Sequence, residues 1–214
     1  MERQVWRMIK TEALDGAMNM AIDEVLLRNV QAGISPPVVR LYRWNPATVT
    51  LGYAQRGAHQ FNREYCDDKG IDVVRRLTGG RAVLHDEEVT YAIISRHEGL
   101  FTGDPLQSYE TIAQVLLACL RILGLDAVTS GRHAGTDCAA AVEQSACFTA
   151  PAQFEIVCGG KKICGSSQKR AQGGFLQHGS IPVNMDLTKL FRALNTDMSA
   201  SLELGVQRLA EKVG

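Results

Sequence analysis

Two stretches of this chain combine residue types that could handle an acyl group. Residues 147–182 contain a candidate nucleophilic thiol, two adjacent lysines and the sequence His-Gly-Ser, and residues 75–85 (RRLTGGRAVLH) are rich in glycine and arginine. A thiol can accept an acyl group, an ammonium group can hold its carbonyl oxygen, and a glycine loop can lie close to an apolar chain. The two stretches therefore predict an acyl-binding pocket, if the fold brings them together.

Cys147 is the candidate nucleophile, because it lies in a stretch without helix or strand character and loops often carry reactive groups. Cys158 and Cys164 lie in predicted strands, where a cysteine usually serves as a small packing residue. A thiolate accepts an acyl group from a thioester and can pass it to an amine. A single loop cysteine is also common as a structural residue, and no Cys-His-Asp triad has a readable spacing. The histidines that could serve as general base are His85, His133 and His178.

Two adjacent lysines, Lys161 and Lys162, lie on a predicted strand, so their side chains should point to opposite faces. Lys162 precedes the small residues of 164–167 (Cys-Gly-Ser-Ser), which would leave room for a ligand. An ammonium group fixed there could bind an acyl carbonyl or a phosphate oxygen and stabilise developing negative charge. The alternative is that both lysines face solvent on an ordinary hairpin.

The glycine loop, residues 78–82 (Thr-Gly-Gly-Arg-Ala), follows a predicted strand but precedes no predicted helix. It therefore lacks the context of a dinucleotide-binding or P-loop motif, although paired glycines still allow the backbone to approach a ligand. Arg75 and Arg76 precede the loop, and Arg81 lies within it. The alternative is a tight turn with solvated arginines, and His85 could be a pocket residue or an ordinary hydrogen-bonded histidine.

A third motif, His178-Gly179-Ser180, occurs where a strand continues as Ile-Pro-Val. A glycine between two polar residues could present backbone N–H groups to a ligand. The same three residues could equally form a β-bulge, and the sequence leaves both possibilities open.

Bulk composition favours one soluble globular domain. The 214 residues are 45% hydrophobic and 21% charged with a formal net charge of zero, which excludes the basic surface typical of nucleic-acid binders. The N-terminus is not a signal peptide, and the longest apolar stretch, 112–125, is interrupted and too short to span a bilayer. The six cysteines show neither a CxxC pair nor zinc-type spacing. We therefore expect a cytoplasmic protein without a metal, a membrane partner or a nucleic-acid partner.

Three helices are predicted. Asp15 can cap the first, and Gly33 lies just beyond its end. The second is predicted to begin at a Ser108 cap and to end at Gly124, and the short third helix begins at Asp186. The apolar positions of the first helix include Ala17, Met20, Ala21, Val25 and Leu26. The buried face of the second is expected to contain Ile112, Val115, Leu116, Cys119, Leu120 and Leu123.

Strands are predicted at residues 38–42, 48–51, 71–76, 89–95, 154–158, 161–169 and 173–183. The dipeptide Gly159-Gly160 is a two-residue turn that favours a hairpin between 154–158 and 161–169. Strands outnumber helices, and several are joined as hairpins. The predicted fold class is therefore α+β, with a mixed, mostly antiparallel central β-sheet and packed helices.

Five segments, taken together, resemble the biotin/lipoate protein ligase-like catalytic domains in sequence and in order. They are residues 19–27 (NMAIDEVLL), 41–55 (LYRWNPATVTLGYAQ), 75–91 (RRLTGGRAVLHDEEVTY), 147–169 and 176–182 (LQHGSIP). The resemblance covers nearly the whole chain and implies that 1–214 is a single catalytic domain of this type, truncated or short at its C-terminal end. One departure is Leu77, which stands where the family usually has proline.

Within this family, the chain is most similar to the cysteine-dependent octanoyltransferases related to lipoate–protein ligase A. The resemblance gives Cys147, in CF-x-AP, the acyl-thioester role and gives Lys162, in GKKICGSSQ, the carbonyl-binding role. The substrate-binding residues that it implies are Arg75, Gly79, Gly80, Arg81, Ala82, His85, Gly165, Ser166, Ser167, His178, Gly179 and Ser180.

The reaction that the resemblance implies has two half-reactions. Cys147 takes octanoate from octanoyl-acyl carrier protein, and a lysine of a lipoyl domain (glycine cleavage H protein or 2-oxoacid dehydrogenase E2) then attacks the enzyme thioester. No cofactor is expected, because a thioester is already activated. The alternatives are an ATP- and Mg-dependent lipoate–protein ligase that forms lipoyl-AMP, an amidotransferase between lipoyl domains, and an inactive carrier or sensor of acylated proteins.

Overall fold

A computed structural model of the chain describes residues 4–56, 60–102, 104–129, 155–159 and 161–195. The strands are β1 (Arg7–Leu14), β2 (Val38–Trp44), β3 (Thr48–Leu51), β4 (Asp72–Arg75), β5 (Val83–His85), β6 (Glu88–Ser95), β7 (Ala127–Thr129), β8 (Ile156–Cys158), β9 (Lys161–Ala171) and β10 (Gly174–Pro182). The helices are α1 (Gly16–Gln31), α2 (Arg63–Lys69), α3 (Pro105–Ile122) and α4 (Leu187–Leu194). Of these described helices, none is long and apolar enough to cross a membrane.

Two sheets form the framework. The larger has seven strands in the order β1-β2-β6-β10-β9-β8-β7, and only its β1–β2 pair is parallel. The smaller has the order β4-β3-β5, with β3 and β4 parallel. The predicted α+β class with a mostly antiparallel sheet is therefore confirmed. Four short or edge elements (β1, β5, β7 and α2) were not predicted, because their sequences carry charged residues or span few positions.

Helix α1 begins where the sequence predicts, because the Asp15 side chain accepts a hydrogen bond from the Met18 amide. Its inner face packs on β2, β6 and β10 through Met20, Leu26 and Val30, among others. Three of the apolar positions named from the sequence, Ala17, Ala21 and Val25, are instead exposed. Two polar side chains occupy the inner face beside the apolar ones, and they are Asn19 and Asp23.

Helix α3 covers the opposite face of the large sheet, but its predicted cap is wrong. Asp104 caps the helix by accepting from the Gln107 amide, and Pro105 follows at the first turn, where its missing N–H costs nothing. Ser108 lies inside the helix, buried, and accepts a hydrogen bond from Arg170. The buried face contains Ile112, Ala113, Leu117 and Leu120, whereas Val115, Cys119 and Leu123 are exposed.

The hairpin of β8 and β9 and the helix α4 confirm local predictions. The turn between the strands has Gly159 at a φ of 57°, a value that glycine adopts at little cost. Helix α4 is capped by Asp186, which accepts from the Lys189 amide, and its inner side buries Leu190 and Leu194 against the small sheet.

The small sheet holds the glycine loop in place. The loop begins after β4, and its Thr78 carbonyl accepts a hydrogen bond of 2.8 Å from the Tyr53 amide, just after β3. Gly52 lies so close to the loop that a Cβ there would stand 1.9 Å from the Gly80 carbonyl oxygen. No side chain fits at this contact, so glycine at position 52 is needed for the loop to reach its position.

We expect Gly52→Ala to lower the free energy of unfolding by about 1–3 kcal/mol, because the neighbouring atoms are backbone and cannot rotate away. The matched control is Gly79→Ala in the same loop, where an added Cβ would meet nothing within 4 Å. That control should change the free energy by about 0.5 kcal/mol or less. Urea unfolding of both variants is the measurement, and equal losses would contradict the close-approach argument.

Candidate functional site

A cleft lies where the α1 side of the large sheet meets the small sheet and the glycine loop. Strands from both sheets contribute to its walls, so the two stretches singled out in the sequence do meet. Of the predicted site residues, those that line the cleft are Gly80, His85, Gly165, Ser166, Ser167, His178, Gly179 and Ser180.

Four predicted loop residues do not line the cleft. Arg75 donates hydrogen bonds of 2.8 Å to the Gly52 and Gln55 carbonyls, and so supports the segment after β3. Ala82 is buried in the core of the small sheet. Gly79 and Arg81 are exposed, but their carbonyl oxygens face inward. Their contribution to the site is therefore made through the backbone.

Arg76 lines the cleft and was not among the predicted site residues. Its guanidinium donates to the carbonyls of Gly79 and Arg81, both at 2.7 Å, and to the carbonyl and hydroxyl of Thr50 on β3. It thus clamps the glycine loop to the small sheet. Arg75, the last residue of β4, is exposed, whereas the next residue, Arg76, is buried.

A buried carboxylate network lies beneath one wall. Asp23 of α1 forms an ion pair with Arg40 of β2 at 2.7 Å, with side-chain exposures of 1% and 0%. The other oxygen of Asp23 accepts from the Tyr42 hydroxyl at 2.9 Å and lies 3.4 Å from His178 Nδ1. His178 Nε2 lies 2.6 Å from the Thr78 hydroxyl of the glycine loop. The network therefore joins α1, the large sheet and the loop.

A second carboxylate network lies beneath the opposite part of the cleft. Glu88 of β6 lies 2.7 Å from His85 Nδ1 and accepts hydrogen bonds from the Ser180 and Thr90 hydroxyls. His85 stacks on Trp44 with ring centroids 4.3 Å apart. Burial raises the pKa of Glu88, but the charge and hydrogen bonds of its neighbours lower it by more, so the net pKa lies below its ordinary value. Glu88 therefore stays ionised although it is buried.

Lys162 is buried beside the cleft rather than in its lining. Its side chain is 4% exposed and donates a hydrogen bond to Glu155, which precedes β8. The alternative in which both lysines face solvent is therefore wrong for Lys162. Cys147 and His133, which the sequence singled out, lie outside the described residues.

The motif His178-Gly179-Ser180 is regular strand in the centre of the sheet, paired with β6 on one side and β9 on the other without a register shift. The β-bulge alternative is therefore wrong, and the ladders occupy the backbone groups of the motif. A Cβ at Gly179 would stand 2.5 Å from the Tyr91 ring and 2.7 Å from the Gly165 carbonyl. Glycine is thus required by packing at this position.

The pH dependence of stability follows from His178. Burial lowers the pKa of His178, and its contact with Asp23 only partly offsets this, while Arg76 and His85 lower it further. Below about pH 6.5, the unfolded chain binds a proton at this residue that the folded chain does not. The free energy of unfolding should therefore fall as pH falls, with a contribution of at most about 1.4 kcal/mol per pH unit.

We expect His178→Gln to weaken this slope between pH 7.5 and 5.5, measured by urea unfolding at fixed ionic strength. The window lies above the ordinary pKa of a glutamate, so the titration of Glu88 does not contribute to it. A variant whose slope equals that of the wild type would contradict the assignment.

The geometry by itself defines a class of protein: an α+β domain in which a cleft between two sheets is supported by buried ion networks. Comparison with known proteins identifies this class of protein. The sequence profile of the lipoyl protein ligase A/B catalytic domain family matches residues 15–214. Protein Ta0514 of T. acidophilum, solved with bound lipoic acid, has a TM-score of 0.72 at 25% identity, covering 97% of this chain and 82% of that one.

The chain is also similar to curated relatives whose names state an activity. The chain is 42% identical to Octanoyltransferase LipM of Moorella thermoacetica over 202 residues, 94% of this chain and 73% of that protein. It is also 42% identical to Octanoyltransferase LipM of Brevibacillus brevis over 193 residues, 89% of this chain and 70% of that protein. The chain belongs to the lipoyl protein ligase A/B catalytic domain family. The resemblance inferred from the five sequence segments is therefore confirmed.

Proposed function

We propose that this chain transfers an octanoyl group from acyl carrier protein to a lysine of a lipoyl domain through a thioester at Cys147. The observation that carries the proposal is the 42% identity to an octanoyltransferase over 94% of the chain. Relatives of the same name, with identities from 36% to 42%, confirm the coarser prediction of an octanoyltransferase in protein lipoylation. The donor, the acceptor and the covalent step are the proposed part.

The cleft suits an uncharged acyl chain. The charged side chains beneath it are engaged by partners, as in the Asp23–Arg40 and Glu88–His85 pairs. A carboxylate or phosphate would have to compete with these buried pairs for its counter-charge. An apolar chain can instead lie against Met20, Val83 and Trp44 without disturbing them. This supports a substrate that binds through its hydrocarbon part.

The cysteines that the structure describes are poor candidates for the nucleophile. Burial raises the pKa of Cys164 to about 12 and also raises the pKa of Cys66, so both thiols are protonated at neutral pH. Cys119 is exposed on α3, on the other face of the large sheet from the cleft. None of the cleft-lining residues that the structure describes is a cysteine. Cys138 and Cys147 both lie outside the described residues, and we assign the nucleophilic role to Cys147 because it lies in the CF-x-AP motif.

Lys162 supports the proposal as a fixed cation. It lies on β9 three residues before Gly165, where that strand enters the wall of the cleft. Its pairing with Glu155 holds the ammonium in a buried position, where an electrostatic contact is stronger than in water. We propose that it stabilises the oxyanion formed from the thioester carbonyl.

The proposed reaction uses neither ATP nor magnesium, because the octanoyl thioester is already activated. Its acceptor would be the lipoyl domain of a glycine cleavage H protein or of a 2-oxoacid dehydrogenase E2, and we place the reaction in the cytoplasm. The ligase alternative differs in requiring ATP and free lipoate, and the amidotransferase alternative differs in its donor. These differences define the arms of the test.

The first experiment is intact-protein mass spectrometry after mixing the chain with octanoyl-acyl carrier protein without ATP. We expect an octanoyl-sized adduct that hydroxylamine removes, and we expect Cys147→Ala to lack it. Cys119→Ala is the matched control, since it removes an exposed thiol far from the cleft and should keep the adduct.

Modification of a lipoyl domain that requires ATP and free lipoate, with no adduct, would support the ligase instead. An adduct that forms only from an octanoylated lipoyl domain would support the amidotransferase.

The role of Lys162 can be separated from its ion pair. Lys162→Met and Glu155→Gln both break the pair, so both should lower the free energy of unfolding. Only Lys162→Met removes the cation, and we expect it to lower kcat/KM for octanoyl transfer by about 10²–10³-fold. Glu155→Gln should cost less than about 10-fold, and equal losses in both variants would assign Lys162 a structural role only.

A further inference from the structure

His85 and His178 occupy matching positions in the two carboxylate networks. Each places Nδ1 against a buried carboxylate and Nε2 against a threonine hydroxyl: Glu88 and Thr50 for His85, Asp23 and Thr78 for His178. The sequence left both histidines open as general bases. What distinguishes them is the group at the far end of each threonine.

The His85 network ends on a guanidinium. Arg76 donates to the Thr50 hydroxyl at 3.1 Å and to the Thr50 carbonyl at 2.9 Å. A guanidinium has only donors and is not deprotonated in proteins, so it neither accepts nor passes on a proton. No proton can therefore enter this network through Arg76.

The His178 network ends on a hydroxyl at the cleft. The Thr78 hydroxyl lies 2.7 Å from Ser167 Oγ on β9, and Ser167 lines the cleft. Thr78 is fully buried, His178 is 7% exposed and Ser167 is partly exposed, so the network runs from the cleft inward. Its inner end is the Asp23 carboxylate, which Arg40 and Tyr42 also hold.

The directions of these hydrogen bonds follow from Asp23. An ionised carboxylate only accepts, so His178 carries its proton on Nδ1 and its Nε2 is an acceptor when the ring is neutral. Burial lowers the pKa of His178, which favours the neutral ring. The Thr78 hydroxyl must then donate to His178, so the Ser167 hydroxyl donates to Thr78. The Ser167 oxygen is left as an acceptor toward the cleft.

We propose that Ser167, Thr78 and His178 form a proton relay that takes the proton from the amine attacking the acyl thioester. The inference rests on the proposed function and assigns the general base of its second half-reaction. Ser167 is the residue that touches the amine, whereas Thr78 and His178 act through it and Asp23 holds His178 in position.

The proposed relay accounts for each bond and each proton in the transfer. The amine nitrogen bonds to the carbonyl carbon, and one of its protons passes to Ser167 Oγ as the Ser167 proton moves to Thr78 and the Thr78 proton moves to His178 Nε2. Collapse of the tetrahedral intermediate breaks the carbon–sulfur bond and releases the cysteine thiolate. The thiolate recovers the proton as the relay resets, so that thioester and amine give amide and thiol.

The test separates the two half-reactions. Octanoyl-enzyme is prepared from octanoyl-acyl carrier protein, freed of the carrier and mixed with an unmodified lipoyl domain in single-turnover quench experiments. We expect Ser167→Ala and Thr78→Val to slow transfer to the lipoyl domain by about 10²-fold, the usual size of a general-base effect, and to slow transfer at least about 10-fold more than they slow acylation of the enzyme. Thr78→Ser, which keeps the hydroxyl, should restore transfer to within about 10-fold of wild type.

Thr50→Val is the matched control, because it breaks the equivalent bond to His85 in the network that ends on Arg76. It should change both half-reactions by the same factor. If Ser167→Ala and Thr78→Val lower the rates of acylation and transfer by the same factor, the relay is wrong and these residues only support the cleft. Full transfer activity in both variants would also overturn it.

The failure of the relay can be told from the failure of the proposed function. If the wild-type chain forms no octanoyl-enzyme, the thioester mechanism is wrong and the relay, which depends on it, is wrong as well. If the adduct forms and Ser167→Ala transfers it at the wild-type rate, only the relay is wrong. Circular dichroism and urea unfolding of each variant exclude misfolding as the cause of a lost rate.

Discussion

The buried ion pair between Asp23 and Arg40 is the interaction on which the site depends. Neither side chain reaches solvent, so removing one partner would leave an uncompensated buried charge at a cost of about 3–5 kcal/mol. Arg40 also donates to the carbonyl and side chain of Asn19, which fixes α1 on β2. Because Asp23 in turn holds His178, and His178 holds Thr78, the position of the glycine loop depends on this pair.

The two carboxylate networks give the cleft rigid walls of different kinds. Glu88 contacts ring nitrogens and hydroxyls of residues on β2, β5, β6 and β10. Its network continues through His85 and Thr50 and ends at the Arg76 guanidinium. The Asp23 network ends instead on a hydroxyl that faces the cleft. The same local pattern of carboxylate, histidine and threonine therefore ends on a guanidinium in one network and on a hydroxyl in the other.

Family membership and geometry answer separate questions about the protein. Sequence identity to octanoyltransferases assigns the class of reaction. The networks show how ionised side chains stay buried beneath an apolar cleft, in a domain whose formal net charge is zero. The cost of burying Glu88 is offset by His85 and two hydroxyls rather than by solvent. The lining of the cleft thus combines apolar side chains with the hydroxyls of Ser166 and Ser167 above fully engaged ionised groups.

Local features of the fold could be predicted from the sequence. The caps Asp15 and Asp186, the hairpin turn at Gly159 and most strands follow from neighbouring residues, which decide backbone conformation within a few positions. The cap of α3 is Asp104 rather than the predicted Ser108, because Asp followed by Pro is a strong start signal four residues earlier. The resemblance also identified eight residues that line the cleft.

The sequence by itself thus determined most of the elements, the fold class and the family. Only the tertiary structure decided which polar groups meet, because the partners are far apart in the chain: Asp23 and His178 are separated by 155 residues, and Thr78 and His178 by 100. Sheet register and the approach of Gly52 to Gly80 set these contacts, and no local pattern encodes either. For the same reason the sequence leaves Arg76 open as a solvated arginine and does not single out Asp23, although both are buried and support the site.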